Sequence, residues 1–435
     1  MSEGARASGS KQPFGVSLWQ ATANPRPDRP RLEGRRSVDV AVIGAGYFGL
    51  SAALALTEAG KAVAVVEAER VGWGASGRSA GFVVPNFAKV DPEEVIARLG
   101  SEAGERLLAA TGASADLVFD LVRRHAIACD AHQSGWIQPA HAPNALPRLK
   151  ARMEAWAGRG RPVAWLDRAA IAEMTGCRSY PGGWIDRSGG VLHPLNYTLG
   201  LADAAERAGA TIHEDSPVSA LERAGGQWTV VTAGGAIAAD TVVLATNAYG
   251  RLDGRLARSI LPLTVYQIAT EPLDPSVRAR LLPGNQSVSD TARNLFTFRF
   301  DAANRLISGG MSALPFGAHR RAPRAIHRRM AGMLDFPDLP PIAFAWSGVA
   351  AVTPDFLPHL YEIAPGVVAG IGCNGRGIAV STMLGRSLAD RLLGLPSAGP
   401  PMGPPEPFAM HTLARFAPHA FLPYGTIRDR LDRRG

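Results

Sequence analysis

The sequence predicts an α/β fold in which one domain is assembled from distant parts of the chain and a second domain is inserted into it. Three observations carry this prediction. Segments with strand character alternate with segments of helical periodicity over most of the 435 residues. Glycine-rich turns between a strand and a helix occur near both ends of the chain, around residues 44 and 375. Apolar residues make up 46% and charged residues 19% of the chain, a balance that supports sizeable buried cores.

The inserted domain is expected to be α+β and built on an antiparallel sheet, with strands at residues 266–270, 295–300 and 305–309. The first 36 residues are rich in Arg, Pro, Gly and Ser and predict a poorly ordered tail, of which only residues 17–20 are expected to dock on the body. The predicted boundaries are a tail at 1–36, a discontinuous first domain at 37–85, 191–257 and 343–396, an inserted domain at 86–190 and 258–342, and a C-terminal extension at 397–435.

The charge pattern argues against a nucleic-acid partner. The net charge is +8, but the arginines are spread along the chain, and only 7% of the residues are aromatic. The nearest basic cluster, at residues 319–329, is interpreted as the solvated face of a helix.

The three cysteines, Cys129, Cys177 and Cys373, are widely spaced and odd in number. They offer neither a disulfide framework nor metal-ligand spacing, so we expect no metal and a reducing cytoplasm as the compartment. The N-terminus lacks the layout of a signal peptide. The longest apolar run, at residues 40–56, is too short and too rich in glycine for a transmembrane segment, and none is expected.

The first glycine-rich turn carries a complete dinucleotide-binding fingerprint. A β-branched strand at residues 38–43 leads directly into G-x-G-x-x-G, which opens a helix. Gly44 allows the tight turn, Gly46 allows the backbone to approach a pyrophosphate, and Gly49 allows the helix to pack closely on the strand. A second strand ends at Glu67, whose carboxylate can accept hydrogen bonds from ribose hydroxyls. An acid at this place favours FAD or NAD over NADP.

The segment that follows decides between FAD and NAD by resemblance. Residues 67–81, which include Gly-Trp-Gly-Ala-Ser-Gly-Arg, are similar to the stretch after the second strand in the D-amino acid oxidase (DAO) family of flavoproteins, in the branch of γ-glutamylputrescine oxidase and glycine oxidase. Such a small-residue loop suits an isoalloxazine ring lying against backbone. Ser76, Gly77 and Arg78 offer hydroxyl, amide and guanidinium donors to ribityl and phosphate oxygens.

Three later segments, at residues 182–194, 242–249 and 346–378, resemble the same family in the same order. The resemblance covers roughly residues 15–395 and implies a Rossmann-type FAD-binding domain of the glutathione reductase type 2 class. It implies these FAD-binding residues: Gly44, Gly46, Tyr47, Phe48, Gly49, Glu67, Ala68, Ser76, Gly77, Arg78, Ser79, Ala80, Gly81, Val218, Thr246, Asn247, Gly348, Gly375, Arg376, Gly377 and Ile378.

Two departures from the family pattern concern the flavin. Members with covalent flavin use His or Cys near the ring, whereas this chain has Arg78 in the early loop and Gly-Val-Ala-Ala at residues 348–351. We therefore expect non-covalent FAD. The sarcosine oxidase branch places a Lys near the flavin on the strand corresponding to residues 305–309, but this chain has no Lys after Lys150. The electron acceptor is accordingly left open between O2 and a quinone or protein.

On the substrate side, a Tyr and an Arg from strands of the inserted domain hold a carboxylate in amino acid-oxidising relatives. Tyr266 and Arg299 are the candidates here, because Arg can bind a carboxylate with two parallel hydrogen bonds. The alternative is that Arg299 forms a surface ion pair on its strand. Trp346 and Asn374 are expected to form walls over the flavin.

These features predict an FAD-dependent oxidoreductase that oxidises the C–N bond of a small amine or amino acid to an imine by hydride transfer to flavin N5. No dedicated base is required, because positioning and desolvation of the neutral amine suffice. Two alternatives remain open. The enzyme could be an FAD-dependent 2-hydroxy-acid dehydrogenase, or the chain could be a non-catalytic FAD-binding subunit of a complex.

Overall fold

Two large β-sheets with helices packed on them organise the computed structural model of the chain, which describes residues 13–250, 252–314, 316–414 and 417–433. Strands and helices alternate around the first sheet, whereas the second sheet is mostly antiparallel. The predicted α/β class, with an antiparallel sheet in the middle of the chain, is confirmed.

The first sheet has a parallel core. Strand Gly34–Ile43 pairs with Val63–Val66 on one side and with Gly235–Leu244 on the other. These strands are rich in Val, Ile and Ala, as expected where both faces are covered. The order across the sheet is Met402–Gly403, His359–Ala364, Val367–Ile371, Gly235–Leu244, Gly34–Ile43, Val63–Val66 and Thr211–His213, with Gln227–Thr232 and Val218–Ala224 as an antiparallel extension beside Gly235–Leu244.

Helices Tyr47–Glu58, Pro194–Arg207 and Gly377–Leu392 pack together on the first sheet and form its largest core. Tyr47–Glu58 is almost entirely buried because it is apolar all round. Tyr47–Glu58 and Gly377–Leu392 each follow the carboxyl end of a parallel strand. Their N-termini therefore point toward the same edge of the sheet, where ligands bind in such folds.

The second sheet contains one parallel pair, Ser287–Ser289 with Trp136–Pro139, among antiparallel neighbours. Helix Ala318–Met333 packs on this sheet and closes a second apolar core. The order across the sheet is Ile342–Val352, Leu261–Pro272, Arg305–Gly310, Thr297–Phe300, Ser287–Ser289, Trp136–Pro139, Gly182–Asp186 and Val163–Asp167.

The remaining elements connect or cover the two sheets. A small antiparallel pair joins Phe82–Val83 to Gly190–Val191. The other helices are Leu18–Ala21, Pro92–Leu99, Ser101–Gly112, Ser114–Arg124, Leu146–Ala157, Arg168–Thr175, Gly254–Arg258, Pro275–Arg278, His411–Ala414 and Ala417–Asp432, with 3-10 turns at Ala75–Gly77, Pro143–Ala145 and Asn247–Tyr249. No helix within the described ranges is long and apolar enough to cross a membrane.

Two segments differ from the predicted domain boundaries. Strand Ile342–Val352, assigned to the first domain as part of 343–396, pairs with Leu261–Pro272 in the second sheet. Helix Ser114–Arg124, assigned to the inserted domain as part of 86–190, packs against Gly377–Leu392. The partner of a strand or helix is set by long-range contacts, which a local pattern does not contain. We keep the division into two domains, one around each sheet, as a proposal.

The expected docking of residues 17–20 on the body is confirmed, whereas the prediction of a poorly ordered tail was wrong for the other residues of 13–36. The indole of Trp19 donates to the Ser79 carbonyl at 2.7 Å, and the buried Arg29 guanidinium pairs with Asp203 at 2.6 Å and Glu206 at 2.7 Å. Strand Gly34–Ile43 already begins inside the predicted tail. These anchors bond to distant residues and have no periodicity of their own. Residues 1–12 of the predicted tail lie outside the described residues.

The C-terminal extension at 397–435 also joins the body. Met402–Gly403 adds an edge strand to the first sheet beside His359–Ala364. Helix Ala417–Asp432 docks through Asp429, whose carboxylate accepts the backbone N–H groups of Arg293 and Asn294, each at 3.0 Å.

Candidate functional site

A cavity of about 1380 Å³ lies between the two sheets. The fingerprint turn and the ends of the parallel strands line it from one side. Strands Leu261–Pro272, Thr297–Phe300 and Arg305–Gly310 of the second sheet line it from the other. The volume exceeds that of a typical drug-sized pocket, so the cavity has room for a dinucleotide and a second small molecule.

The fingerprint glycines are required by close contacts. Gly44 has φ +111°, and a Cβ there would lie 2.6 Å from the Ala245 carbonyl oxygen. A Cβ at Gly46 would lie 2.9 Å from Ser76 Oγ, and one at Gly49 would overlap the Gly44 carbonyl oxygen. The strand, turn and helix therefore pack at the distance that a pyrophosphate cradle at a helix N-terminus needs.

Glu67 ends the second parallel strand and faces the same cavity. Its carboxylate accepts the backbone N–H groups of Ala45 at 2.8 Å and Glu69 at 3.1 Å. Burial raises the pKa of Glu67, and the two backbone hydrogen bonds oppose that rise. Each carboxylate oxygen retains acceptor capacity beyond these bonds. This is the arrangement that binding of a ribose diol by an acid requires.

Arg78 lines the cavity, but its guanidinium has a structural role. Nε donates to the Trp73 carbonyl at 3.1 Å, and Nη1 donates to the carbonyls of Gly15 at 3.0 Å and Ser347 at 3.2 Å. Nη2 donates to the Gln20 side-chain oxygen at 3.3 Å. Arg78 thus ties the N-terminal segment to the strand Ile342–Val352, and its contact with flavin phosphate or ribityl oxygens stays a prediction.

The second glycine-rich turn is fixed by Asn374, which has φ +50°. Its side-chain oxygen accepts the Thr353 N–H at 2.8 Å, and its side-chain nitrogen donates to the carbonyls of Gly372 at 2.6 Å and Leu357 at 3.2 Å. Asn374 lines the cavity as expected, but its amide is occupied by the protein. It positions the loop in front of helix Gly377–Leu392 and does not present free donors to a ligand.

Most residues that the family resemblance assigned to FAD meet in this one cavity. Three glycines in that set, Gly49, Gly77 and Gly81, lie behind it and serve close packing. The assigned residues that line the cavity are Gly44, Gly46, Tyr47, Phe48, Glu67, Ala68, Ser76, Arg78, Ser79, Ala80, Val218, Thr246, Asn247, Gly348, Gly375, Arg376, Gly377 and Ile378.

Arg299 is placed differently from the prediction. Its side chain is 2% exposed and does not line the cavity. Nη1 donates to the carbonyls of Gly81 at 2.7 Å and Leu192 at 2.8 Å, and Nε donates to that of Phe300 at 2.8 Å. Burial lowers the pKa of Arg299 to about 10. The hypothesis that Arg299 binds a substrate carboxylate was wrong, and so was the alternative of a surface ion pair, because backbone carbonyls hold the buried guanidinium.

Tyr266 and Trp346 also face away from the cavity. Side chains alternate between the two faces of a strand, so Val265 and Gln267 point into the cavity while Tyr266 packs on the core beneath helix Ala318–Met333. The Trp346 indole is fully buried and donates to the Arg78 carbonyl at 2.9 Å. Both were wrongly predicted as substrate or wall residues.

Gln267 is the residue that this strand presents to the cavity. Its side chain is 8% exposed, and its Oε1 has no hydrogen-bond partner in the described part of the chain. A buried, unsatisfied acceptor is costly unless a ligand supplies a donor. Alternation along the strand was the signal that could have selected Gln267 over Tyr266. Ser79 Oγ, also in the cavity wall, is a second unpartnered buried atom.

Several further cavity residues were missed because nothing in their local sequence marks them. Lys89 lies in the loop before helix Pro92–Leu99, and Arg293 lies in the loop before Thr297–Phe300. Leu422 of the C-terminal helix is 5% exposed and lines the cavity.

The residues fit FAD on structural grounds. A half-buried acid, a glycine cradle at a helix N-terminus and a second helix N-terminus after residues 372–376 converge on one cavity. Glu67 and the first helix suit the adenosine and pyrophosphate half, and the second helix suits the flavin half.

Comparison with known proteins supports the same assignment. The chain is 34% identical over 375 residues to probable oxidoreductase OrdL of Haemophilus influenzae, covering 84% of this chain and 85% of that protein. It is 31% identical over 385 residues to gamma-glutamylputrescine oxidoreductase of Escherichia coli, covering 87% and 89%. Glycine oxidase from Geobacillus kaustophilus has a similar structure, with a TM-score of 0.69 and 25% identity over 84% of this chain and 96% of that chain.

A sequence model of the DAO family, described as FAD dependent oxidoreductase, matches residues 39–391. The match spans both glycine-rich turns and all the strands of the second sheet. The predicted resemblance is confirmed, and the chain belongs to the DAO family of FAD dependent oxidoreductases.

Proposed function

We propose that the protein uses non-covalently bound FAD to oxidise a C–N bond of a small amine or amino acid to an imine. The observation that carries the proposal is the single cavity that runs from the dinucleotide fingerprint to the second sheet. It offers a cofactor site at one end and a partly apolar, partly polar chamber at the other. The relatives support it, because one is named gamma-glutamylputrescine oxidoreductase and another glycine oxidase.

In this proposal, each polar group at the cofactor end of the cavity has a role in binding FAD. The Glu67 carboxylate accepts hydrogen bonds from the adenosine ribose hydroxyls, and the N-terminus of helix Tyr47–Glu58 faces the pyrophosphate. Ser79 Oγ, which lacks a protein partner, donates to the cofactor. When bound, FAD supplies the hydride acceptor, flavin N5.

The substrate end positions the amine. Gln267 Oε1 accepts a hydrogen bond from the substrate N–H, which satisfies the unpartnered oxygen and orients the nitrogen lone pair. Leu263, Val265 and Met311 form apolar walls that exclude water. Hydride leaves the carbon next to a neutral amine, so the protein supplies orientation and desolvation and needs no base.

The state of the Cys373 thiol, which lies at the cavity, is consistent with non-covalent attachment of the flavin. Cys373 lines the cavity wall, and burial raises the pKa of its thiol. The group therefore stays protonated and is a poor nucleophile toward the flavin ring. Acid precipitation of the purified yellow protein should leave all the flavin in the supernatant. Flavin retained in the washed precipitate would show a covalent bond.

Anaerobic bleaching of the flavin tests the reaction. The oxidised protein is mixed with a panel of amines, amino acids and 2-hydroxy acids, and the visible absorption is followed. We expect bleaching by at least one amine, with an aldehyde or keto acid and the released amine or ammonia recovered after hydrolysis. Bleaching by hydroxy acids alone would show a C–O oxidoreductase. Bound flavin that the whole panel leaves oxidised would indicate a non-catalytic subunit.

The electron acceptor is proposed to be O2 or a quinone or protein acceptor. Oxygen uptake during turnover, compared with reduction of a quinone analogue under argon, separates these acceptors. The three cysteines are free thiols, and on that basis we propose a reducing, cytoplasmic setting.

A further inference from the structure

The C-terminal helix Ala417–Asp432 packs on the body of the protein through one face. On that face Leu422 is buried, and a Cβ at Gly425 would lie 3.1 Å from the Arg293 Cβ. The Asp429 carboxylate accepts the Arg293 backbone N–H at 3.0 Å. Leu422, Gly425 and Asp429 lie three and four residues apart, so they mark one side of the helix.

The opposite side of this helix is apolar and exposed. Four large apolar side chains follow one another there at steps of three and four residues, which places them in one row along the helix. They are Phe421, Tyr424, Ile427 and Leu431, and each is about half exposed. We call this row the C-terminal apolar stripe. Exposed apolar residues are ordinary when they are scattered singly, whereas a continuous row of them indicates an interaction surface.

Two arginines flank the C-terminal apolar stripe. Arg428 and Arg430 are exposed, and no carboxylate in the described part of the chain pairs with either guanidinium. The two acids of the helix turn toward the body, because Asp429 is buried and Asp432 pairs with Arg293. The exposed side therefore combines apolar side chains with positive charge, and no carboxylate of the helix offsets that charge.

This combination of side chains fits the surface of an anionic lipid bilayer. Helices that lie in the bilayer interface bury apolar and aromatic side chains at the boundary of headgroups and acyl chains, and they carry Arg or Lys beside them. Tyr424 suits such a place, because its ring is apolar and its hydroxyl is polar. A second copy of the chain fits less well. Pairing of two stripes would bring Arg428 and Arg430 of both copies together, and like charges across an interface repel.

We propose that the C-terminal apolar stripe, with Arg428 and Arg430, binds the surface of a membrane that contains anionic lipid. The apolar side chains enter the interface, and the two guanidinium groups bind lipid phosphates. Phe421 and Leu422 line the cavity, so docking brings one wall of the cavity next to the bilayer. Anionic lipids face the cytoplasm, which agrees with the proposed compartment. The inference goes beyond the proposed amine oxidation and does not depend on it.

The test is flotation of the FAD-loaded, full-length protein with lipid vesicles. One set of vesicles contains phosphatidylcholine alone, and the other contains phosphatidylcholine with about 30% phosphatidylglycerol. Each set is used at about 0.1 M and about 0.5 M salt, because salt screens the attraction between exposed arginines and lipid phosphates. The bound fraction is measured over a series of lipid concentrations, which gives an apparent Kd.

The variants remove the two parts of the surface separately. Tyr424→Gln, Ile427→Gln and Leu431→Gln, combined in one chain, remove most of the stripe and retain good helix formers. Arg428→Gln and Arg430→Gln, singly and together, remove the charge. Two substitutions elsewhere are the matched controls. These are Leu395→Gln, at another exposed leucine, and Arg36→Gln, at an exposed arginine near the start of strand Gly34–Ile43.

We expect wild type to float with the vesicles that contain phosphatidylglycerol at the lower salt concentration, and to be released at the higher one. Each arginine substitution should weaken binding about five-fold, and both together about thirty-fold. The combined stripe variant should weaken it at least about ten-fold, because three apolar side chains are lost. The two controls should stay within about two-fold of wild type. All variants should keep the FAD content and thermal stability of wild type, since they change exposed side chains.

Three results would overturn the membrane surface. These are wild type that binds no vesicles, equal binding to both sets of vesicles, or variants that bind as wild type does. If size-exclusion chromatography shows a dimer that the combined stripe variant separates, a second copy covers the stripe and the proposal is wrong. The arginine variants keep the test decisive if the stripe variant does not fold. No substrate is present, so the outcome is independent of the bleaching panel.

Discussion

The Glu67 carboxylate accepts the backbone N–H of Ala45 at 2.8 Å, and this bond links the end of the second parallel strand to the fingerprint turn. The acid thus shapes the fingerprint turn and lines the same cavity. In the proposed cofactor site, this one residue would link the pyrophosphate cradle to recognition of the adenosine ribose.

We predict that Glu67→Ala weakens FAD binding by about 1–3 kcal/mol, because ribose hydroxyls and the Ala45 N–H lose a charged acceptor. Glu67→Gln retains one acceptor oxygen and should lose less. Affinity is measured by quenching of FAD fluorescence on titration into the apoprotein. An affinity equal to wild type in Glu67→Ala would remove this residue from the cofactor site.

The buried position of the Arg299 guanidinium predicts that its replacement changes the stability of the protein rather than substrate binding. Arg299→Met leaves the carbonyls of Gly81, Leu192 and Phe300 without their donor and should lower the free energy of unfolding by about 2–4 kcal/mol. The apparent KM of the folded fraction should stay within about two-fold, because the side chain does not line the cavity.

Arg299→Lys retains the charge and should lie between wild type and Arg299→Met in thermal stability. A raised KM with unchanged thermal stability in Arg299→Met would contradict the structural role and restore the carboxylate-binding hypothesis.

The fingerprint was predictable because its information is local. Strand, glycines, helix and acid occur at fixed spacings, and the structure brings Gly44, Gly46 and Glu67 together as those spacings require. Family resemblance then added the second turn at residues 372–378. Both turns are marked by short local motifs, although Asn374 fixes the second turn through hydrogen bonds to Thr353 and Leu357.

The substrate side was not predictable in the same way. The register of a strand decides which of its faces meets the cavity. The predicted residue, Tyr266, is one position away from Gln267, which is the residue that lines the cavity. Lys89 and Arg293 line the same cavity only because the loops that carry them converge in the folded chain. The anchors Arg29 and Asp429 act on residues far along the chain, so no local pattern reveals them.

His193 couples stability to pH. Its Nδ1 accepts the Asn196 N–H at 3.1 Å as the cap of helix Pro194–Arg207, and its Nε2 lies 3.1 Å from Thr22 Oγ1. The Thr22 hydroxyl already donates to the Leu18 carbonyl, so the neutral ring must carry its proton on Nε2. Burial lowers the pKa of His193 to about 4, and the Arg299 charge contributes.

The pKa of His193 is about 6.5 in the unfolded state and about 4 in the folded protein. At pH values between these two, the unfolded state binds more protons than the folded state. Stability should therefore fall as the pH is lowered from about 6.5 toward 4, by on the order of 3 kcal/mol in all. His193→Asn keeps a capping acceptor without a titratable group. Urea unfolding at a series of pH values should show a flatter profile for this variant than for wild type. Parallel profiles would exclude His193 as the source.

The C-terminal helix Ala417–Asp432 closes part of the cavity, since Leu422 lines it and Asp429 fastens the helix to the loop at residues 293–294. Arg293 Nη1 also bonds Asp429 at 3.3 Å and Asp432 at 2.5 Å. We predict that Asp429→Asn loosens the helix, because the buried charge that accepts these N–H groups is lost. The apparent KM should rise about two- to ten-fold while FAD content is unchanged, because the helix borders the substrate end. Limited proteolysis should cut before the helix faster than in wild type.

Asp120→Asn is the control, as Asp120 is an exposed aspartate paired with Arg123 at a position away from the cavity. Unchanged proteolysis and KM in Asp429→Asn would mean that apolar packing of the helix, rather than this carboxylate, holds the cavity wall in place.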